Sequence, residues 1–513
     1  MKTSLFLVVV LSFSSLGFAA DVYVPDNYNT IQDAITAVSV GDTVIVRPGT
    51  YFETISFLGK DIIVKSEKGA AVTVIDAGQQ SSCVKFENGE TLSAILNGFT
   101  LTNGIGSPDH MSILSGGGVF IWYSSPQVSN NIITGNEAQT SRGGGIYVYE
   151  SSAAKILNNT ICDNRSFDCG GGIYTRRCSP LIKFNEIYGN TAGEYGGGVN
   201  CSTYADPLIA GNRIMNNYSV QGGGGINAFH HCNPQILNNM IAWNSTSVLG
   251  GGISVLDAAE PVITNNTILS NTATHLGGGI ACTDASIPTV TNSIIWNNHA
   301  PSGREIYIGD TLEPSVFTIS YSDVDNGMTY VLVEAGCTLA WGAGMIDANP
   351  LFVDSTVFDL HLLHTSPCLN AGDNLAPSIS YLDFEGDDRI ADGTVDMGAD
   401  EFFTHLYTNG DVLPGSTIRI MIIGEPGTTP VNLSIGSGVA PSPIHTPHGY
   451  IYLTLPVLNT WLLGDIPANG VYDKSVTVPP SWNLGEMYPF QALLGNWGDP
   501  GTVLTNLLKL EVE

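Results

Sequence analysis

The chain has 513 residues, more than one compact core usually holds, so two or three structural units are expected. Only 13% of residues are charged and glycine numbers 59, a balance that excludes a disordered chain and suits a turn-rich β protein over a helical one. The formal net charge of −29 excludes a surface for nucleic-acid phosphates or anionic lipid, and would repel an acidic polysaccharide unless a divalent cation or a local basic patch intervened.

Residues 1–20 read as a signal peptide: Lys2 opens it, Leu5 to Leu11 is a short apolar run, and Gly17 to Ala20 supply small residues before Asp21. Export is therefore expected, and no later stretch has the length of a transmembrane helix. Nine cysteines follow, an odd number at irregular spacing with no paired zinc pattern. Export permits disulfides, with Cys162 and Cys169 the closest in sequence; buried free thiols are the other reading.

Asn27 to Val38 predicts a short amphipathic helix with Ile31, Ala34, Ile35 and Val38 on one face, placed to cover an open end of sheet. Irregular strands begin at Thr43. A strict repeat then takes over. Gly-Gly-Gly starts at Gly116, Gly143, Gly170, Gly196, Gly223, Gly250 and Gly277, in steps of 26 or 27 residues, each followed by Ile or Val. One column is all isoleucine, from Ile133 through Ile161, Ile187, Ile214, Ile241 and Ile268 to Ile295. Two columns are asparagine, one from Asn136 to Asn298 and one from Asn131 to Asn266, ending in Ser293.

Short β-branched runs punctuated by Pro and Gly select stacked coils of strands over helix pairs. Stacking at roughly 4.8 Å turns every column into a ladder. The isoleucines then fill the lumen, the asparagines serve the turns, and the glycine triplets mark a corner needing positive φ. The fold predicted is an all-β parallel β-helix of about 27-residue coils.

These coils, with Val24-Pro-Asp, Thr30-Ile-Gln-Asp-Ala-Ile and Gly41-Asp-Thr-Val-Ile-Val-Arg-Pro-Gly-Thr-Tyr, resemble secreted proteins of the pectin lyase-like, right-handed parallel β-helix superfamily. The resemblance spans roughly residues 21–330 and implies the handedness. Its enzymes include polysaccharide lyases and hydrolases. The hydrolase set of Asn-Thr-Asp, Asp-Asp, His-Gly and Arg-Ile-Lys does not occur here, so no catalytic residue is carried over.

Asn349-Pro-Leu-Phe-Val-Asp, Ser366-Pro-Cys-Leu-Asn-Ala-Gly-Asp, Asp383-Phe-Glu-Gly-Asp-Asp-Arg and Asp396-Met-Gly-Ala-Asp-Glu resemble the closing segment of bacterial surface proteins of the choice-of-anchor Q type. Asp383, Asp396, Glu401 and Arg389 are expected either to form a buried ion network locking the last coil or to bind calcium. From about Thr404 the repeats vanish and alternating apolar runs predict a small β-sandwich. The expected units are a signal peptide (1–20), a β-helix with its helical cap and closing segment (21–403), and a sandwich-like module (404–513).

Function is expected on an outward face. The strand after each triplet has an inward ladder in which Cys201 and Cys282 fill the core, and flanking ladders predicted to face out. Phe120, Trp122, Tyr147, Tyr149 and Tyr174 would form an aromatic platform for sugar rings, continued by Arg176, Arg177, His230 and His231. Arg177, His230 and Asp257 are the catalytic candidates: a guanidinium for a sugar carboxylate or anionic transition state, a base, and a carboxylate in the same column. Asp257 and Asp284, one coil apart, would either share a calcium ion or raise each other's pKa. The functional expectation is a monomeric protein, secreted or on a bacterial surface, that binds extracellular polysaccharide and could cleave it as a lyase. The alternative is a non-enzymatic adhesin or envelope component.

Overall fold

The computed structural model describes residues 20–402 except 151, 310–312, 358, 364 and 391–392, and, past 405, the backbone strands of the C-terminal segment. The expected signal peptide lies outside the described residues except Ala20. The body is a parallel solenoid. Three long sheets run its length, of thirteen, eleven and eleven strands, with a six-stranded ladder of two-residue strands between the second and third. One coil shows the order. Gln127–Ser129 lies in the first sheet, Ile132–Thr134 in the second, Glu137–Ala138 in the short ladder and Ile146–Tyr149 in the third. Lys155–Leu157 then returns to the first sheet, one coil on.

The register is the one the columns require: Ile133 pairs with Ile161, and Ile161 with Ile187, at every step to Ile295. All seven are fully buried, and burial of each such side chain contributes about 1.5–3 kcal/mol. Cys201 and Cys282 lie in the same core, and all nine cysteines are free thiols.

The asparagine columns are continuous hydrogen-bonded wires. The side-chain amide of Asn190 donates to Asn217 Oδ1 (3.0 Å), that of Asn217 to Asn244 Oδ1 (3.0 Å), and each backbone N–H donates to the same acceptor. Each amide also donates to a carbonyl of the preceding coil, as Asn217 does to Ile187 (2.8 Å). These groups are therefore satisfied internally and are not a row of ligand-binding amides. The first glycine of each triplet has positive φ, 63–69° across the seven. The second and third allow close approach: a Cβ on Gly224 would lie 2.5 Å from Gly251 O.

The predicted helix is shorter than the sequence pattern suggested, Ile31–Ala37, because Thr30 caps it by accepting from Asp33 N. Ile31, Ala34 and Ile35 are buried against the first coil. Lys60 Nζ closes the other end by donating to the carbonyls of Ile35, Thr36 and Val38 at 2.7–2.8 Å.

Past the last coil the chain doubles back over the outside of the solenoid. Asn292 N-δ2 donates to Asp373 O, Asn265 to Asp396 O, and Ala399 N donates to Thr267 Oγ1. The expected ion network is present. Asp383 Oδ1 accepts from the backbone of Glu385, Gly386 and Asp387, and its Oδ2 from Glu401 N. Asp396 accepts from Asn370 N and Phe402 N. Arg389, 1% exposed, donates to the carbonyls of Asp396, Gly398 and Ala399 and faces Glu401 at 3.9 Å. These carboxylates are engaged by N–H donors, the structural alternative of the two expected. Strands between Leu406 and Glu511 pair antiparallel in sheets of three, five and two.

Candidate functional site

The strand after each triplet carries the predicted ladder, but its first column is not an exposed platform. Phe120, Tyr147 and Tyr174 stack along the solenoid with ring centroids 5.4 and 5.5 Å apart and planes within 10°. All three are buried, as is Tyr149. The cause is an insertion. The strands Ser107–Pro108 and Leu114–Ser115 form an antiparallel hairpin whose tip lies against this face, with His110 stacked on Tyr149 at 4.9 Å. These four rings cannot offer their faces to a sugar. The column continues in buried polar residues, Asn227 donating to Asn200 (2.7 Å) and Ser254 to Asn227 (2.5 Å).

Tyr147 pays for this burial. Its hydroxyl has no hydrogen-bond partner, and burial, followed by the neighbouring Tyr174 and Asp109, pushes its pKa up. Tyr147→Phe is therefore expected to raise stability by about 1 kcal/mol, read as a higher denaturant midpoint. A fall would show that a bound water holds the hydroxyl.

The residues just past the end of each strand, which include the predicted Arg177, His230, His231, Asp257 and Asp284, also differ. Tyr123, Glu150, Arg177, His230, His231, Asp257 and Asp284 all have φ between 50 and 61° and so sit in a turn leaving the strand, not on its face. The turn brings His230 and Asp257 together, Nδ1 to Oδ2 at 2.8 Å. Arg177 is diverted to Glu150 (3.1 Å), so the three catalytic candidates do not converge. His231 stacks on the exposed Tyr204 at 5.3 Å. Thr283 donates to Asp284 (3.0 Å), and neither Asp257 nor Asp284 belongs to a cluster of three metal-ligating groups among the described residues.

What the solenoid does assemble is a cleft of about 270 Å³ beside the buried rings. Trp122 is left at the edge of the ring cluster, while Tyr174 and Arg176 line the cleft itself. The other walls come from residues just upstream of the triplets: Arg142, Asp168 with Cys169, and Glu194 with Tyr195. Asp168 and Glu194 occupy one column in neighbouring coils, since Glu194 N donates to Asp168 O (2.8 Å). Arg142 Nε donates to Asp168 Oδ2 at 2.7 Å and the guanidinium lies over the Tyr174 ring. The carboxyls of Asp168 and Glu194 lie within 4.8 Å of each other. Interaction with Asp168, then burial, raises the Glu194 pKa. Burial opposes ionisation of Asp168, but the neighbouring Glu194 and the charge of Arg142 outweigh it and hold its pKa low. The two groups are thus pushed apart in proton affinity.

Asp168, Cys169 and Glu194 place three ligand atoms within 4.8 Å of one another, yet the Arg142 guanidinium already fills a cation's role there. Burial and the Asp168 charge push the Cys169 thiol well up, away from a nucleophile. Arg176 is different. It lies over Tyr149 at 5.7 Å, its Nε has no hydrogen-bond partner, and no carboxylate pairs with it among the described residues. Phe229 and Tyr195 stack at 6.0 Å along the same wall, both partly exposed. The sequence does carry a signal for Arg142, Asp168 and Glu194: charge in columns just before the triplet that later coils fill with Val248, Leu249 and Leu276.

Parallel ladders around an apolar lumen, with a side-chain cleft on one outer face, define a β-solenoid of the right-handed type. The family model described as "Right handed beta helix region" matches residues 68–241 and 144–349, together more than half of the chain. The chain belongs to this family. A pectin methylesterase from carrot aligns at 13% identity over 68% of this chain and 99% of its own, with a TM-score of 0.24, which carries no argument on function. Among curated proteins there is no match. No helix among the described residues is long and apolar enough to cross a membrane.

Proposed function

We propose that the protein binds an acidic extracellular polysaccharide in the cleft of Arg142, Arg176, Glu194, Tyr195 and Phe229. The observation that carries this reading is Arg176, a guanidinium without a carboxylate partner in a chain of net charge −29. A sugar carboxylate would complete it with paired N–H···O bonds, and the Tyr195–Phe229 wall offers an apolar surface to the adjoining ring. The polarised Asp168–Glu194 pair supports a proton-transfer step on the bound sugar, either lyase or hydrolase in kind. His230 and Asp257 lie on the neighbouring turn and would meet sugars beyond the cleft. Secretion and a bacterial surface location of the choice-of-anchor Q type belong to the same proposal.

The test is titration with oligogalacturonides, oligoalginates and neutral xylo-oligosaccharides of equal length. Acidic chains are expected to bind at least tenfold more tightly than neutral ones, with Arg176→Ala costing about 1.5–3 kcal/mol of that affinity. Equal binding of neutral sugars, or full binding by Arg176→Ala, would overturn the reading. Ultraviolet absorbance of unsaturated product separates a lyase from a hydrolase, and Glu194→Gln should abolish turnover while leaving binding intact. Binding without turnover by the parent favours the adhesin reading, which the antiparallel C-terminal sheets also suit.

A further inference from the structure

The closing segment holds a second cluster, far from the cleft in sequence. His361 lies in the strand Asp359–Leu362, which pairs antiparallel with Phe352–Asp354. Its Nδ1 bonds Asp359 Oδ1 at 2.6 Å, and its Nε2 faces Glu385 Oε1 at 3.2 Å. Asp400 completes the group. The ligating atoms of His361, Glu385 and Asp400 all lie within 4.8 Å of one another.

Asp400 is the independent sign that a ligand belongs here. It is 2% exposed, and both of its carboxylate oxygens lack a hydrogen-bond partner. Its chain neighbours are not in that position: Asp396 and Glu401 accept from backbone N–H groups, and Arg389 spends its terminal nitrogens on carbonyls. A buried carboxylate with no donor is costly, and native structures rarely leave one without an ion or a water. The imidazole is also set as a metal ligand would be. With a cation on Nε2, the carboxylate on Nδ1 would hold the ring's hydrogen at Nδ1 and keep Nε2 directed toward Glu385.

We infer that His361 Nε2, Glu385 and Asp400 bind a divalent transition-metal cation, with Asp359 as the positioning residue behind the histidine. One nitrogen and two carboxylates form a donor set for Zn²⁺ or Mn²⁺; Ca²⁺ takes six to eight oxygens. The ion would tie together three stretches of the closing segment: the strand at Asp359, the loop at Glu385 and the terminal stretch at Asp400. The same stretches supply Leu360, Phe384 and Ala399 to the apolar cluster that packs on Met240, Ala242 and Leu269 of the solenoid. The site is therefore a staple holding the closing segment on the outer wall of the β-helix, separate from the proposed glycan cleft.

The experiment uses the full chain, stripped with chelator and titrated with Zn²⁺, Mn²⁺ and Ca²⁺. One equivalent of Zn²⁺ or Mn²⁺ should bind and raise the unfolding temperature in proportion to its concentration over Kd. Co²⁺ should give a visible absorption band from its protein ligands. His361→Gln and Asp400→Asn should abolish both signals. Glu385→Gln, altered at the rim of the cluster, should weaken binding at least tenfold in a metal-free chain that still unfolds in one cooperative transition, so the test survives if either buried variant fails to fold. No bound equivalent in the parent, undiminished binding in Glu385→Gln, or a response to Ca²⁺ alone would each overturn the assignment.

Discussion

Asn217→Ala is expected to destabilise the solenoid by about 3–5 kcal/mol, one of the largest effects of any single side chain in the molecule. Asn217 stands mid-column with its Oδ1 accepting from Asn190 N (3.0 Å) and Asn190 Nδ2 (3.0 Å). Its own amide reaches Ile187 O and Asn244 Oδ1. Truncation strands the Asn190 N–H at a site with no solvent and leaves a cavity in the turn. Each stranded group costs about 1–3 kcal/mol, and the lost bonds add to it. Asn217→Asp should be worse at neutral pH, because a carboxylate keeps the acceptor but turns like-charged oxygens toward Ile187 O and Asn244 Oδ1. Urea unfolding of both variants beside Asn297→Ala checks this. Asn297 is exposed at φ 52° and donates only to Ser270 Oγ, so its loss should cost about 1 kcal/mol, the strain of alanine in the left-handed region. Equal midpoints for Asn217→Ala and Asn297→Ala would show that the column is not a cooperative element.

The repeat made the solenoid legible because one period fixes every ladder at once. Ile133 to Ile295, Asn136 to Asn298 and the triplets need a single stacking register, and that register is the observed one. The site was harder to read, for two physical reasons. Alternation along a strand tells which side chains leave the lumen, and it placed Phe120, Tyr147 and Tyr174 outside it correctly. It is silent on what lies over them, and the hairpin around His110 is an insertion with no counterpart in later coils. The period also misleads where a strand ends. Arg177, His230 and Asp257 fall in one column, but at positive φ each is aimed by its turn, so Arg177 meets Glu150 while His230 meets Asp257.

The Asp168–Glu194 pair was missed for the converse reason. Asp168 and Glu194 belong to the connection before the glycine corner, where no repeat of apolar residues draws attention. Only the stacking of two coils brings their carboxyls within 4.8 Å. In the closing segment, the motif led to Asp383, Asp396, Glu401 and Arg389, which do form a network. His361, Glu385 and Asp400 are scattered among the same motifs, and only the doubled-back path of the chain makes them neighbours.

Glu305 ends the asparagine column that runs from Asn136 to Asn298 and should give the protein a pH-dependent stability. It stands in the third-glycine position of its coil, next to Gly279, and accepts from Asn298 N (3.0 Å) and Asn298 Nδ2 (2.6 Å) as a further asparagine would. Burial is the dominant influence and outweighs those donors, pushing its pKa up to about 9 from an ordinary 4.5. The unfolded chain releases this proton near pH 4.5 and the folded chain keeps it. Stability is therefore full below pH 4.5, falls as pH rises, and levels only above about 9. The limiting slope is about 1.4 kcal/mol per pH unit, so the accumulated loss at pH 9 is on the order of several kcal/mol. Asp323, raised by burial to about 7, adds a similar slope of its own. Glu305→Gln separates the two, because glutamine keeps an acceptor for Asn298 and never ionises. The variant and the parent should unfold alike near pH 4.5, and the variant should gain steadily up to pH 9 in urea midpoints measured across that range. Parallel profiles would mean that the carboxylate is ionised within the fold and that the Asn298 donors, not burial, govern it.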